Sequence, residues 1–363
     1  EARIRQFAPI LKFGAGEHFF PMNAARYVSA CSLHRWYRHN RSEFYLAPGQ
    51  LALEHLHTLE DGDLFLVYAD HHTFMVDDDG NLIPPIYTSL ALDTAEAIKR
   101  IRREIERSKI RLTRPFVRKV AGLDGKIFKA ALDVYGKTST NPPTYYYRVL
   151  RKADYGGQYD VIQYWYFYAY NDWATTHNGN NDHEADWETV QLFFDDLNDP
   201  QPVQIVFSAH HGSTKRAWNE VEKIDNRPVV YVAPGSHANF PAADDFDTLT
   251  KQTEMPWQVD EALTIGLDGD LAWAEAIDLS EERWVELFRG KWGGRYFVNR
   301  RFTCFEKPGG APRGPRWQSA TKERPAWHNP VAWGEKANHV DLGTIIGDVL
   351  QGIVNCARNL LRI

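Results

Sequence analysis

The run Val161-Ile162-Gln163-Tyr164-Trp165-Tyr166-Phe167-Tyr168-Ala169-Tyr170 restricts the fold more than any other part of the chain. Aromatic and β-branched side chains at nearly every position suit an extended, packed backbone. Further runs of the same texture lie at 145–150, 188–194, 203–209 and 229–233. Asn, Asp, Gly and Pro separate them, the residues that turns select. Such a series, with few helical signals between its members, predicts a β-sandwich. Upstream, 7–13 and 63–69 read as additional strands and 77–81 as a turn.

Helical signals are local. Asp93 or Thr94 caps a helix over 93–109, whose apolar stripe is Ala95, Ile98, Ile101 and Ile105. Helical pieces are expected within 271–287, and loops at Gly293-Gly294 and over 307–315. From 342 to 363, Leu342, Ile346, Val349, Ile353, Cys356, Leu360 and Ile363 alternate by four and three, as in an amphipathic helix. The expected fold is therefore mainly β with helical insertions, of the α+β class. A single β-sandwich domain covers 1–335 with a helical insertion near 93–109, and a C-terminal amphipathic helix covers 336–363. That helix docks on the parent domain, dimerises, or lies peripherally on a membrane.

Composition excludes some functions. A formal charge of −6 over 363 residues argues against binding nucleic acid by broad phosphate neutralisation. No apolar run reaches the roughly 18 residues of a membrane span. Cys31, Cys304 and Cys356 are too widely spaced for a metal pattern or a disulfide framework; three buried thiols are expected, with one bridge plus a free thiol as the alternative. The chain starts at Glu1 without Met or an apolar leader, so a mature or trimmed product is expected. A secreted and a soluble intracellular protein both fit, and a transmembrane one does not.

Chemistry concentrates in Asn181-Asp182-His183-Glu184-Ala185-Asp186-Trp187-Glu188-Thr189-Val190. Asp186 and Glu188 are two apart, so on an extended chain both carboxylates face one side while Trp187 faces a core. His183 is expected to swing over them from a preceding loop. A solvated turn would account for the acids alone. Two carboxylates buried together without a cation are costly, however, and the strand that follows them reads as buried. Asp172, after the aromatic strand, is a plain turn residue taken singly. The loop from it returns to His183, which makes it a fourth candidate donor. Oxygen-rich ligation with one imidazole suits Mg²⁺, Ca²⁺ or Mn²⁺ better than Zn²⁺.

Two more corners carry histidines at strand ends beside glycine: Ser208-Ala209-His210-His211-Gly212 and Pro234-Gly235-Ser236-His237-Ala238. A surface pair is the simple reading of His210 and His211. Should these corners border the acidic strand, His237, His210 and His211 are the candidate proton-transfer residues. Ser236 lacks the nucleophile-elbow pattern. His55, His57, His71 and His72 read as loop residues.

With these residues assembled, the chain resembles the vacuolar protein sorting-associated protein 62 family. The matching pieces are Phe7–Phe13 with Glu17-His18-Phe19-Phe20-Pro21, Gln163–Tyr168, His183–Glu188, His210-His211-Gly212, Val230–Pro241, Lys291-Trp292-Gly293-Gly294 and Gly314-Pro315. That family usually has Gly where this chain has Ala185. More distantly, His183-Glu184-Ala185-Asp186-Trp187-Glu188 resembles the Gly-His-Arg-His-Asp-Trp-Glu segment of secreted necrosis- and ethylene-inducing toxins, which lies on a β-sandwich. Carried over residue by residue, that resemblance implies a divalent cation held by His183, Asp186 and Glu188, with Asp172 as the upstream Asp. Roles of the Arg and second His do not transfer, because Glu184 and Ala185 replace them.

The expected function is a divalent-metal-dependent hydrolase acting on an ester, phosphoester or glycan-type substrate. Trp165, Trp173, Trp187 and Trp218 would supply apolar walls. The alternative is metal-dependent binding of a glycan or lipid headgroup, membrane-acting and toxin-like, without turnover. Histidines near the acidic strand favour the first reading; the toxin-like motif and the terminal helix favour the second.

Overall fold

The computed structural model describes residues 1–14, 17–37, 41–46, 49–58, 62, 64–68, 131–171, 183–209, 212–243, 263–294, 297–300, 303–306 and 311–336. The expected helices at 93–109 and 342–363 lie outside these residues, as do the 77–81 turn, His71, His72, Asp172, Trp173, His210, His211 and Cys356. The described part is mostly β-sheet with a few short helices. Among the described residues no helix is long and apolar enough to cross a membrane.

The aromatic run forms the centre of the larger sheet. Its strands are β5 (Thr144–Leu150), β6 (Asp160–Asn171), β7 (His183–Phe194), β8 (Gln204–Ala209) and β9 (Gly212–Ala217), paired antiparallel in that order. β14 (Glu275–Asp278) joins in parallel on the outer edge of β5. A second sheet has the order β10 (Lys223–Ile224), β11 (Arg227–Val232), β1 (Ile10–Phe13) and β13 (Leu263–Ile265), with β12 (Asn239–Phe240) also on β11. β1 and β11 run parallel, Ile10 opposite Val229 and Phe13 opposite Val232. A smaller sheet of β2 (Cys31–Tyr37), β3 (Arg41–Leu46) and β4 (Leu64–Tyr68), and a hairpin of β15 (Phe297–Arg300) and β16 (Thr303–Glu306), complete the β structure among the described residues.

Every residue of β6 and β7 is buried, which explains why β6 has no polar-out alternation. Each face of the sheet meets a different core. Trp165, Phe167, Ala185 and Trp187 pack with Tyr27 of α2 (Ala24–Ala30), Leu33, Leu66, Trp284, Trp292 and Trp327. Tyr164, Tyr166, Tyr168, Val190, Leu192 and Phe194 pack instead against Leu11, Phe13, Val230, Val232 and Ile265 of the second sheet. Period-two alternation thus sorts the run between two apolar environments instead of between core and water.

Several expectations need correction. The first strand starts at Ile10; α1 (Ala2–Gln6) precedes it, and Phe7 packs into the core from the connection. The 275–278 stretch is strand, and only Arg283–Leu287 in that region is helical. β9 carries almost no apolar signal, yet it pairs with β8 along its whole length and forms the edge of the sheet. His55 and His57 lie in a 3-10 turn over Leu53–Thr58. The acidic segment is itself strand: β7 begins at His183, and its polar residues are paired with β6 from Asn171 to Tyr166.

Candidate functional site

Topology brings the candidate residues to one end of the two sheets. Because β1 and β11 are parallel, the chain leaving β1 toward Glu17 and the chain leaving β11 toward His237 emerge on the same side. β12 packs against β7 and β8, which sets the 233–238 turn beside the start of β7. That turn is closed by Ala233 N–H donating to Ala238 O (2.9 Å) and His237 N–H donating to Ala233 O (3.0 Å). The close return holds Gly235 at φ +73° and His237 at φ +58°, the latter unusual for a residue with a Cβ.

Asp186 lies opposite Tyr168 and Glu188 opposite Tyr166, so both carboxylates share the face that packs on the second sheet. Trp187 faces the other core, with ring centroids 5.0 Å from Phe167 and 5.3 Å from Trp292. One carboxylate oxygen of Asp186 accepts from Asn171 Nδ2 (2.9 Å) and His237 Nδ1 (3.1 Å); the other accepts from Trp187 N–H (2.9 Å). Glu188 accepts from the Ser208 hydroxyl. Ser208 Oγ accepts in turn from Thr189 N–H (2.8 Å) and Asn239 Nδ2 (3.3 Å).

His237 is the centre of this network. Its ring is fully buried and stacks on Tyr168 at 3.8 Å between centroids, with the planes 5° apart. An ionised carboxylate only accepts, so Nδ1 carries the proton toward Asp186. Nε2 stands 3.6 Å from Glu17 Oε1. Glu17 is itself held by N–H groups of His18 (2.7 Å), Phe19 (2.8 Å) and Gly235 (2.7 Å). Burial alone would lower the imidazole pKa, but Glu17 and Asp186 outweigh it and raise it to about 9. Burial would likewise raise the Asp186 carboxyl, yet His237, His183 and Asn171 hold it below its usual range. The same balance lowers Glu17, through His237 and its backbone donors.

His183 opens β7, buried, and its Nδ1 donates to Ala185 O at 2.7 Å. A ring N–H bound to a carbonyl is the usual support of a metal-ligating imidazole, and it makes Nε2 the acceptor nitrogen. The Asp186 hydrogen bonds would orient a ligating carboxylate in the same way. Asn171 Oδ1, Asn239 Oδ1 and Tyr168 Oη are buried beside these acids without hydrogen-bond partners. These oxygen donors are of the type that a hard divalent cation takes. Among the described residues, however, no group of three or more His, Cys, Asp or Glu is placed to hold a metal ion.

Of the expected set, the structure joins Asp186 with His237 directly and places Glu188 beside them. Asp172, His210 and His211 lie outside the described residues. Trp165 and Trp187 belong to the core on the far face and Trp218 to the inter-sheet core, so these three are core residues. Reasoning from sequence missed Glu17, Asn171, Ser208 and Asn239. Asn171 was accessible, since it ends the aromatic strand one residue before Asp172. Glu17 was not, because its contact depends on the parallel β1–β11 pairing.

No protein-family model and no curated protein matches the sequence. Among solved structures, a mutant of NLPPya matches 43% of this chain and 59% of its own, at 14% identity and a TM-score of 0.28. NLPPya in complex with glucosamine matches over 42% of this chain and 57% of its own, at 14% identity and a TM-score of 0.27. Necrosis and Ethylene inducing Protein 2 from the causal agent of cocoa's witches' broom disease matches over 34% and 52%, at 17% identity and a TM-score of 0.24. The chain thus spans less than two thirds of the length of these structures, and the resemblance to the vacuolar protein sorting-associated protein 62 family has no counterpart among the comparisons. What the chain is similar to, in part and loosely, is the toxin fold of the NLP proteins.

Proposed function

We propose that this chain binds a polyhydroxyl ligand, a glycan or a lipid headgroup, without turning it over, at the end of β7. In this reading 1–335 is a single β-sandwich domain, in which the two sheets face each other across their shared core. His183, Asp186, Glu188 and Asp172 hold a divalent cation (Mg²⁺, Ca²⁺ or Mn²⁺). The bound cation would supply a Lewis-acidic contact for ligand oxygens. Asn171, Ser208 and His237 orient the acids by hydrogen bonding. The 336–363 segment adds peripheral membrane contact or dimerisation.

The observation that carries this reading is the engagement of His237. A general base needs an acceptor nitrogen within reach of substrate. Here both ring nitrogens face carboxylates, at 3.1 and 3.6 Å, and the ring is sealed beneath Tyr168. Such an imidazolium orients and neutralises acids; it does not take up a proton from a ligand. The hydrolase alternative would need His210 or His211 for that step.

The test incubates purified protein with glycan-bearing liposomes, phospholipid-only liposomes, and carboxyl-ester and phosphoester probes, each with and without EDTA. Chelator-reversible association with either liposome, with ligand recovered intact, is the expected outcome, and the two liposomes separate glycan from phospholipid headgroup. Product release from a probe that EDTA abolishes would overturn binding without turnover.

A further inference from the structure

We propose that Glu17 is a positioning residue for the β7 site, acting through His237 to fix the Asp186 carboxylate. The inference rests on the reading of that site given above.

The contacts form a continuous path. Glu17 Oε1 lies 3.6 Å from His237 Nε2, and His237 Nδ1 lies 3.1 Å from Asp186 Oδ2. Water does not compete along it, since the side chains of Glu17 and His237 are 2% and 0% exposed. Glu17 is also immobilised. Two of its three backbone donors come from its own segment, while the third, Gly235, belongs to the turn that carries His237. The carboxylate therefore joins the chain after β1 to the chain after β11 and fixes the distance between them. His237 Nε2 has no hydrogen-bond partner, so Glu17 is the acidic group that this edge of the ring faces. Without it, the Nε2 edge would lose the carboxylate it faces, and among the described contacts the Nδ1–Asp186 hydrogen bond and the Tyr168 stack would be left to orient the ring.

Outer-shell partners of metal-ligating side chains typically contribute tenfold or more in affinity. Glu17 is one step further out, which places its expected effect at the lower end, about tenfold. The test compares Glu17→Gln, nearly isosteric, with Glu222→Gln, which perturbs the outward-facing contacts of Glu222 with Lys12 Nζ (3.1 Å) and the Tyr231 hydroxyl (2.6 Å), away from the β7 site. Two readouts are taken on folded protein: the calorimetric Kd for Ca²⁺ or Mn²⁺ alone, and the NMR shifts of the His237 ring protons, which lie in the ring current of Tyr168. E17Q is expected to weaken the Kd about tenfold and to shift the His237 ring protons, with E222Q unchanged in both. Unchanged Kd and unchanged His237 shifts in E17Q would overturn the proposal. Should the wild type bind no metal, the reading of the site fails, and the Nδ1–H resonance of His237, which reports its hydrogen bond to Asp186, decides alone: its loss or upfield movement in E17Q supports positioning by Glu17, and an unchanged resonance overturns it. Should E17Q not fold, Glu17→Asp keeps the charge on a shorter arm and is judged by the same readouts.

Discussion

Ala185 sets the direction of the chain between His183 and Asp186, and its substitution by glycine tests the geometry of β7 closely. It has φ +58° and is fully buried in the aromatic core. A left-handed conformation costs a residue with a Cβ about 1–2 kcal/mol, and glycine almost nothing. Ala185→Gly removes that strain. It also deletes a buried methyl, about 0.8 kcal/mol, and frees the unfolded chain, about 0.5–1 kcal/mol. The terms nearly cancel, so A185G is expected within roughly 0.5 kcal/mol of wild type. Ala169 on β6 is also buried, at 2% exposure, but is not among the residues with positive φ. Ala169→Gly has no strain to relieve and is expected to lose about 1.5 kcal/mol. Urea unfolding followed by tryptophan fluorescence gives both values, provided the m-values match. Equal destabilisation of the two variants would refute the left-handed assignment at Ala185.

Other outcomes follow from single sites. A Cβ at Gly293 would lie 2.6 Å from Glu184 Cβ and 2.7 Å from Ala311 Cβ, so Gly293→Ala should cost about 1–3 kcal/mol, measured by thermal unfolding. Tyr168→Phe removes a buried hydroxyl that has no partner, and calorimetric melting should find stability unchanged or raised by up to about 1 kcal/mol. Burial would raise the Asp160 carboxyl, but N–H groups of Lys152 (2.8 Å) and Leu197 (2.9 Å) and the Arg151 guanidinium hold it below its usual value. Its stabilising contribution is therefore complete above the unfolded carboxylate pKa of about 3.9 and is lost as pH falls through the lower folded value. The stability difference between wild type and Asp160→Asn should shrink over that acidic window in urea unfolding.

How much of this was legible in the sequence depended on what each residue had to satisfy locally. β6 was read to within a residue at each end, because a run of aromatic and β-branched side chains leaves few ways to bury them. β7 was entered too late. Its first residues are His, Glu and Asp, which suggest a loop until their cross-strand partners are known. Glu275-Ala276-Ile277-Asp278 has helix-forming composition, yet the edge of β5 recruits it as strand, a tertiary effect that outweighs propensity. Asp186 and Glu188 were correctly set on one face, since period two is a local property. The joining of His237 to Asp186 and of Glu17 to Gly235 spans separations that no local pattern encodes.

The proposed function requires that the end of β7 hold a divalent cation used for binding. Calorimetric titration of Ca²⁺, Mg²⁺ and Mn²⁺ into chelator-stripped protein, wild type against Asp186→Asn, tests it most directly. Saturable one-to-one binding of at least one of these ions is expected, weakened tenfold or more in the variant while the fold is retained. No saturable binding by the wild type, or equal binding by D186N, would contradict it.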